Sequence, residues 1–145
     1  MLEQRGDYRY GDSQSDIRDE ALNYSKDVGY LAHHFADAVC RCGGHAFKLL
    51  LDDDQGAAVR HCVHCKERHA IGDSAEYLDD AELAECACPC GAEEFEITVG
   101  VSLYTGSEDV RWLYLGCRCT RCGLVAIYGD WKNEFNGYQA LLASI

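Results

Sequence analysis

Ten cysteines in a chain of 145 residues constrain this sequence more strongly than any other feature. Eight of them form two copies of one pattern, in which a Cys-x-Cys-Gly is followed at a distance by a Cys-x-x-Cys. The first copy contains Cys40, Cys42, Cys62 and Cys65, and the second contains Cys88, Cys90, Cys119 and Cys122. Cysteines paired at such spacing are typical of metal sites or of disulfide frameworks.

The two copies also agree outside the cysteines. A glycine follows each Cys-x-Cys, a phenylalanine stands a few residues later, and a Gly-Asp pair follows each Cys-x-x-Cys, all at identical offsets in both copies. The matching positions are Gly43 and Gly91, Phe47 and Phe95, and Gly72-Asp73 and Gly129-Asp130. Agreement at every one of these offsets indicates an internal duplication.

The spacing suits a tetrahedral metal site. Two cysteines one or two residues apart on a tight turn direct both sulfurs toward one ion about 2.3 Å away, and two such turns complete the tetrahedron. A set of four thiolates favours zinc or iron over magnesium or calcium. We expect zinc, with two ions per chain, and iron is the alternative. The expected ligands of one ion are Cys40, Cys42, Cys62 and Cys65, and those of the other are Cys88, Cys90, Cys119 and Cys122. An arrangement in which knuckles from different copies share an ion is the alternative.

This pattern resembles the zinc ribbon family, in which two cysteine turns, or knuckles, at the end of a β-hairpin hold a structural zinc ion. The resemblance covers residues 40–72 and 88–129, about half of the chain. The first knuckle of each copy is Cys-x-Cys instead of the commoner Cys-x-x-Cys. The resemblance implies two hairpins, each closed by a metal ion that stabilises the fold.

The residues between the knuckles agree with hairpins. Residues 95–104 alternate apolar and polar side chains, which is typical of a half-buried strand, and residues 105–109 are rich in turn formers. An apolar return strand over 110–117 and a short strand over 124–128 follow. The first copy predicts the same order: a strand over 47–51, a turn over 52–56, a return strand over 57–61, and a short strand that ends at Gly-Asp.

The sequence therefore predicts a mainly β fold with peripheral helices, a small metal-stabilised α+β protein. An N-terminal helix is expected to begin at Ser13 or Ser15, whose hydroxyl caps it, and to end at Gly29. The predicted segments are an N-terminal helical segment, a first zinc ribbon module, an acidic connector, a second module and a short C-terminal helix. Their bounds are 1–37, 38–74, 75–85, 86–132 and 133–145.

Disulfides are the main rival for these cysteines. The N-terminal residues have no apolar core of the kind that a secretion signal requires, so we expect a cytoplasmic protein. A reducing cytosol disfavours disulfides, and this favours metal.

Two cysteines, Cys86 and Cys117, lie outside the repeated pattern, each two residues before a knuckle cysteine. They are expected either to pack as small apolar groups or to form a redox pair or substitute ligands. His61 and His64 flank Cys62 in the first copy, but arginines stand at the equivalent places in the second. We therefore expect these histidines at the surface, outside the metal sites.

Acidity limits the partners. The chain has 25 Asp and Glu against 13 Lys and Arg, a formal charge of −12. This charge disfavours nucleic acid and anionic membranes, and it would attract a basic protein or peptide. A nucleic-acid-binding face near the knuckles is the alternative, and its candidate basic residues are Arg41, Lys48, Arg60, Lys66, Arg68, Arg111, Arg118 and Arg121.

Catalysis is not expected. The sequence lacks the common nucleophile, phosphate-binding, metalloprotease and dinucleotide motifs. A catalytic zinc keeps an open coordination position, whereas four cysteines close it. The most direct interpretation is a non-catalytic adaptor or regulator with structural metal ions. A thiol or metal-handling activity at Cys86 and Cys117 is the remaining alternative.

Overall fold

The computed structural model describes residues 1–145 and shows a mainly antiparallel β fold, as predicted. Ten strands, two α-helices and one 3-10 helix make up the chain. In order they are β1 (Glu3–Arg5), β2 (Tyr8–Tyr10), α1 (Ser15–Val28), β3 (His34–Asp37), β4 (Phe47–Asp52), β5 (Ala57–Cys62), β6 (Arg68–Ala70), the 3-10 helix (Ser74–Asp80), β7 (Ala84–Glu85), β8 (Phe95–Leu103), β9 (Val110–Cys119), β10 (Leu124–Lys132) and α2 (Tyr138–Leu142).

The strands form one sheet in the order β1-β2-β10-β9-β8-β4-β5-β6, with β3 paired to β8 and β7 paired to β4. Every pairing is antiparallel. The first-module strands β4 to β6 join the second-module strands β8 to β10 through a single residue pair, Phe47 with Phe95. Because one pair gives little resistance to bending, the two parts of the sheet fold over each other and enclose the core.

The β8–β9 hairpin is the centre of the molecule. Ile97, Val99 and Val101 of β8 are fully buried on one face, as the alternating pattern predicts. Thr98, Gly100 and Ser102 on the other face are buried as well, so β8 is covered on both faces and is not the half-buried strand that was predicted. The return strand β9 is buried on both faces, with Leu115 on the side of β8's core residues and Tyr114 on the other. Because both of its faces are covered, β9 can carry a continuous apolar run.

Helix α1 covers the outer face of the β8–β10 sheet. Ile17 is fully buried and lies directly against Gly116 of β9, where a side chain would collide with it. The Tyr24 hydroxyl donates a hydrogen bond of 2.9 Å to Asp130 of β10. The helix ends at Gly29, whose φ of 97° is left-handed, so the predicted end is confirmed.

The predicted serine cap of α1 is wrong. Neither Ser13 nor Ser15 caps the first turn, and their hydroxyls instead hydrogen-bond each other at 2.8 Å. The buried Asp16 carboxylate accepts hydrogen bonds from the Asp12 and Ser13 amides at 2.8 and 3.2 Å, but both amides precede the helix, so no side chain caps its first turn. It also pairs with the Met1 amino group at 2.9 Å.

The first-module hairpin follows the prediction and packs on the opposite, inner face of the central sheet. Strands β4 and β5 flank the predicted turn, and the short strand β6 follows before Gly72. Leu49 is fully buried, and the tip of the hairpin reaches β10, where Gly56 lies against Trp131.

The two Gly-Asp pairs are not structurally equivalent, contrary to the prediction. Gly72 stands in a turn with φ 63°, after its strand has ended. Gly129 lies within β10, next to an irregularity in the pairing with β9, and this strand continues to Lys132. Asp130 accepts hydrogen bonds from Tyr24 and Trp112 side chains instead of from turn amides.

The terminal segments and the connector contain more strand than predicted. Residues 1–37 include the edge hairpin β1–β2 and the strand β3 beside the expected helix. The connector forms the 3-10 helix and then β7, which pairs with β4. The C-terminal helix is short, as expected, and Leu141 anchors it in the core. None of the helices combines the length and apolarity needed to cross a lipid bilayer.

Candidate metal centres

The eight repeated cysteines converge on two places. The sulfurs of Cys40, Cys42, Cys62 and Cys65 lie within 4.8 Å of one another, and so do those of Cys88, Cys90, Cys119 and Cys122. Each group therefore draws its two knuckles from one copy, and sharing between copies does not occur in this structure. Either group could hold one metal ion.

The sulfur separations suit a tetrahedral ion. They are 3.4 Å for Cys40–Cys65, 3.6 Å for Cys42–Cys62 and for Cys88–Cys122, and 3.7 Å for Cys90–Cys119. A tetrahedron with zinc–sulfur bonds of about 2.3 Å has edges of about 3.8 Å. A disulfide needs sulfurs about 2.05 Å apart, and all ten cysteines are free.

The Cys-x-Cys-Gly knuckles have the same backbone turn in both copies. The Gly43 amide donates to the Cys40 carbonyl at 2.8 Å, and the Gly91 amide donates to the Cys88 carbonyl at the same distance. Both glycines have left-handed φ angles, 89° and 95°, which a side chain would strain. This tight turn brings two sulfurs to one ion although only one residue separates them.

The Cys-x-x-Cys knuckles also share one turn, but its left-handed residue differs. In the second copy Gly123, with φ 84°, donates to the Cys119 carbonyl at 2.9 Å. In the first copy Lys66 takes this place, with φ 68°, and its amide donates to the Cys62 carbonyl at 3.0 Å. Lys66 is the one non-glycine residue of the chain with a positive φ. Gly123 lies against the Gly11 carbonyl, 3.0 Å from where a Cβ would stand, so the second copy needs glycine there.

Backbone amides favour the thiolate form of one sulfur in each group. A hydrogen bond from the Cys65 amide is the main cause that lowers the pKa of the Cys62 thiol to about 6. A hydrogen bond from the Ala92 amide is the main cause that lowers the pKa of the Cys90 thiol to about 7. The pKa of the Cys88 thiol, in contrast, is raised by burial. A bound cation would favour the thiolate form of all four sulfurs in each group, because metal binding displaces thiol protons.

Each centre lies at the boundary between core and solvent. Cys40 and Cys62 in the first centre, and Cys88 and Cys119 in the second, are buried, whereas Cys42, Cys65 and Cys90 are exposed. The inner sulfurs belong to the hydrophobic core together with Phe47 and Phe95. A metal ion here would link the exposed knuckle residues to the core. Four protein sulfurs would fill its coordination sphere and leave no open position for a substrate.

No histidine belongs to either group of ligands. His64 is exposed beside Cys42. His61 is half-buried in β5, where it stands opposite Lys48 in the register with β4. Neither replaces a cysteine, in agreement with the comparison of the two copies.

The two remaining cysteines lie outside both groups. Cys117 is fully buried in β9, and burial raises its thiol pKa well above the usual value. Cys86 lies near it, and burial together with Glu85 raises its pKa as well. These surroundings disfavour the reactive thiolate and suit packing as small apolar groups.

Comparison of the chain with protein-family models, with curated proteins and with solved structures found no match. Membership of the zinc ribbon family and an origin by duplication stay predictions. What can be said of function therefore depends on the geometry of this molecule.

Proposed function

We propose that this protein is a non-catalytic adaptor, stabilised by two structural zinc ions, that binds a basic protein through an acidic surface. The observation that carries the proposal is one segment of the chain, residues 73–96, which contains nine acidic residues and neither lysine nor arginine. This segment follows the first module, includes the Cys88 and Cys90 knuckle of the second centre, and remains largely solvent-exposed.

Zinc is supported by the donor set. Four sulfurs at tetrahedral separations suit zinc. This ion does not change its oxidation state, and four cysteines hold it in closed structural sites. Zinc bound by four thiolates carries −2, so two sites take the formal charge from −12 to about −16. Ten free thiols require a reducing compartment, and we place the protein in the cytoplasm.

The acidic segment joins the β4–β5 turn to form one surface. The Asp52 carboxylate accepts a hydrogen bond of 2.8 Å from the Glu82 amide, and β7 pairs with β4. We call this surface the acidic face. Its members share this exposed edge of the first module and are Asp52, Asp54, Glu76, Asp79, Asp80 and Glu82.

The carboxylates of the acidic face have no basic partner. None of its six members takes part in the ion pairs of the structure. Lys48 lies nearby but pairs with Glu85 and Glu93, at 3.7 and 4.0 Å. Unpaired like charges on one surface repel one another, and a bound cationic partner would relieve that repulsion. The same negative field would attract the partner as it approaches.

The alternative nucleic-acid face has less support. Arg60 is buried, and Arg111 stands at the end of β9 away from the knuckle. Arg41 and Arg118 pair with carboxylates at 2.7 Å, each within its own module. Three exposed basic residues near the knuckles form no ion pair, and they are Lys66, Arg68 and Arg121. Few phosphate contacts would give weak binding and a shallow salt dependence.

The zinc part of the proposal predicts two zinc ions per chain. Elemental analysis of native protein purified without added metal should give that ratio, and thiol titration after unfolding in chelator should find ten free thiols. Alkylation of the native metal-bound protein should leave Cys117 unmodified, because it is fully buried. Iron in place of zinc would correct the metal, and rapid selective modification of Cys86 and Cys117 would favour thiol chemistry instead.

The adaptor part predicts binding of a basic peptide that depends on the acidic face. A fluorescein-labelled peptide of alternating lysine and glycine should bind the full chain at low salt, as measured by fluorescence anisotropy. The triple change Asp79→Asn, Asp80→Asn and Glu82→Gln should weaken this binding by about fivefold, because it removes three uncompensated charges.

The matched control removes the same charge from the other side of the molecule. Asp7→Asn, Asp19→Asn and Asp27→Asn change exposed, unpaired carboxylates on the edge hairpin and α1. This variant should bind the peptide almost as well as the natural chain. Equal losses in the two variants would show a response to net charge alone and would contradict a defined acidic face. Preference for a single-stranded DNA over the peptide would favour the nucleic-acid alternative.

A further inference from the structure

A cavity of about 200 Å³ opens at the margin of the acidic face, between the β4–β5 turn, the 3-10 helix and the end of β10. Its lining residues are Gln55, Gly56, Tyr77, Trp131, Lys132, Asn133 and Glu134. This volume falls below the roughly 300–1,000 Å³ of clefts that hold small-molecule ligands and cofactors. It suits one long side chain instead.

Two aromatic rings form the cavity. Trp131 is 9% exposed and lies against Gly56, whose missing Cβ would stand 2.9 Å from the indole Cδ1. Gly56 also has a left-handed φ of 67°. Any side chain at this position would push the indole away, so the glycine keeps the ring at the base of the cavity. Tyr77 of the 3-10 helix is 44% exposed and also lines the cavity.

The charges around the cavity are mostly negative. Asp73, Glu76 and Glu134 lie close enough to Tyr77 that their fields raise the pKa of its hydroxyl. The one cation of the lining is Lys132, and its ammonium group already pairs with Glu134 at 3.3 Å. Three carboxylates against one ammonium leave an excess of negative charge around two aromatic rings.

We propose that this cavity binds a single lysine or arginine side chain of the basic partner. The proposal deepens the adaptor function and rests on it. A cation is attracted to the face of an aromatic ring within about 6 Å of its centroid, most strongly to tryptophan. The apolar stem of a lysine or arginine can lie along the rings while its charged end stays near the carboxylates. The acidic face supplies general attraction, and the cavity selects a side chain and fixes the register.

The test compares variants of Tyr77 in the full, metal-bound chain. Tyr77→Ala removes one wall and should weaken binding of the lysine–glycine peptide by about tenfold, while Tyr77→Phe keeps the ring and should retain most of the affinity. Tyr8→Ala is the matched control, because Tyr8 is 48% exposed and lies on β2, beside the opposite end of β10. That variant should bind as the natural chain does.

A second readout reports occupancy of the cavity directly. In a Trp112→Phe background Trp131 is the one remaining tryptophan, and its emission should change on addition of the peptide. A peptide of alternating arginine and glycine should behave similarly, whereas one of alternating glutamine and glycine should neither bind nor change the emission.

The outcomes separate the two proposals. Peptide binding that the Asp79, Asp80 and Glu82 changes weaken but Tyr77→Ala does not, without any change in Trp131 emission, would overturn the cavity and leave the acidic face intact. Absence of binding by either basic peptide at low salt would overturn the adaptor function, and the cavity proposal with it. A loss in Tyr77→Phe equal to that in Tyr77→Ala would show that the hydroxyl, not the ring, makes the contact, and would also overturn the aromatic site.

Discussion

Cys119→Ser is expected to leave the chain without a cooperative thermal transition and with at most one metal ion. Zinc supplies an apparent free energy of about 10–16 kcal/mol to small cysteine sites, which equals or exceeds the total stability of about 5–15 kcal/mol of an ordinary domain. Cys119 is buried at the end of β9, opposite Phe95, so its loss disconnects the second centre from the central hairpin. Circular dichroism melting and elemental analysis measure the two effects.

The control is Cys86→Ser. Cys86 is half-buried, lies outside both groups of ligands and stands only two residues from Cys88. This variant should keep two metal ions and a melting transition close to that of the natural chain. A cooperative transition in Cys119→Ser at the natural temperature, with one ion lost, would show that the second centre does not stabilise the fold.

Gly116→Val is expected to destabilise the protein by about 3 kcal/mol, at the upper end of what overpacking usually costs. Position 116 faces α1, and even a Cβ there would collide with the Ile17 side chain. The helix must therefore move away from the sheet, which exposes Ile17 and strains the hydrogen bond from Tyr24 to Asp130. Urea denaturation measures the loss, and the metal content should remain at two ions.

A double-mutant cycle identifies the cause. Ile17→Ala alone should destabilise the protein by about 2–5 kcal/mol, because it leaves a cavity in the core. Combined with Gly116→Val, it should destabilise less than the sum of the two single changes, since the valine fills the space that isoleucine vacates. Additive effects would show that the strain at position 116 has another source than Ile17.

The two cysteine groups could be predicted because their information is local. Cys-x-Cys-Gly and Cys-x-x-Cys each fold as one turn, and the structure groups the eight predicted sulfurs within their own copies. The β8 strand was also predicted from its alternating apolar side chains, although the structure buries its polar face too. The Lys66 backbone was not predictable from composition, since lysine rarely takes a left-handed conformation.

The edges of the sheet could not be predicted in the same way. Strands β1 and β2 are three residues each and expose most of their side chains, so no hydrophobic pattern marks them. Their stability depends on the pairing of Tyr10 with Leu124, which are far apart in the chain. The cavity has the same origin, because Tyr77 and Trp131 meet only after the connector has packed beside β10.

The cap of α1 shows a limit of residue preference. Serine is a frequent capping residue, and two serines stand at the predicted start. No side chain caps the helix; the buried Asp16 carboxylate instead holds the turn before it through the Asp12 and Ser13 amides, and the Met1 amino group compensates its charge.

The single pair that joins the two parts of the sheet, Phe47 with Phe95, consists of the same position in each copy. When two antiparallel strands meet at equivalent residues, an approximate two-fold axis passes between them. This is the isologous contact that closes a symmetric homodimer. At this one pair, the contact between the two copies therefore has the local symmetry of a homodimer contact within a single chain.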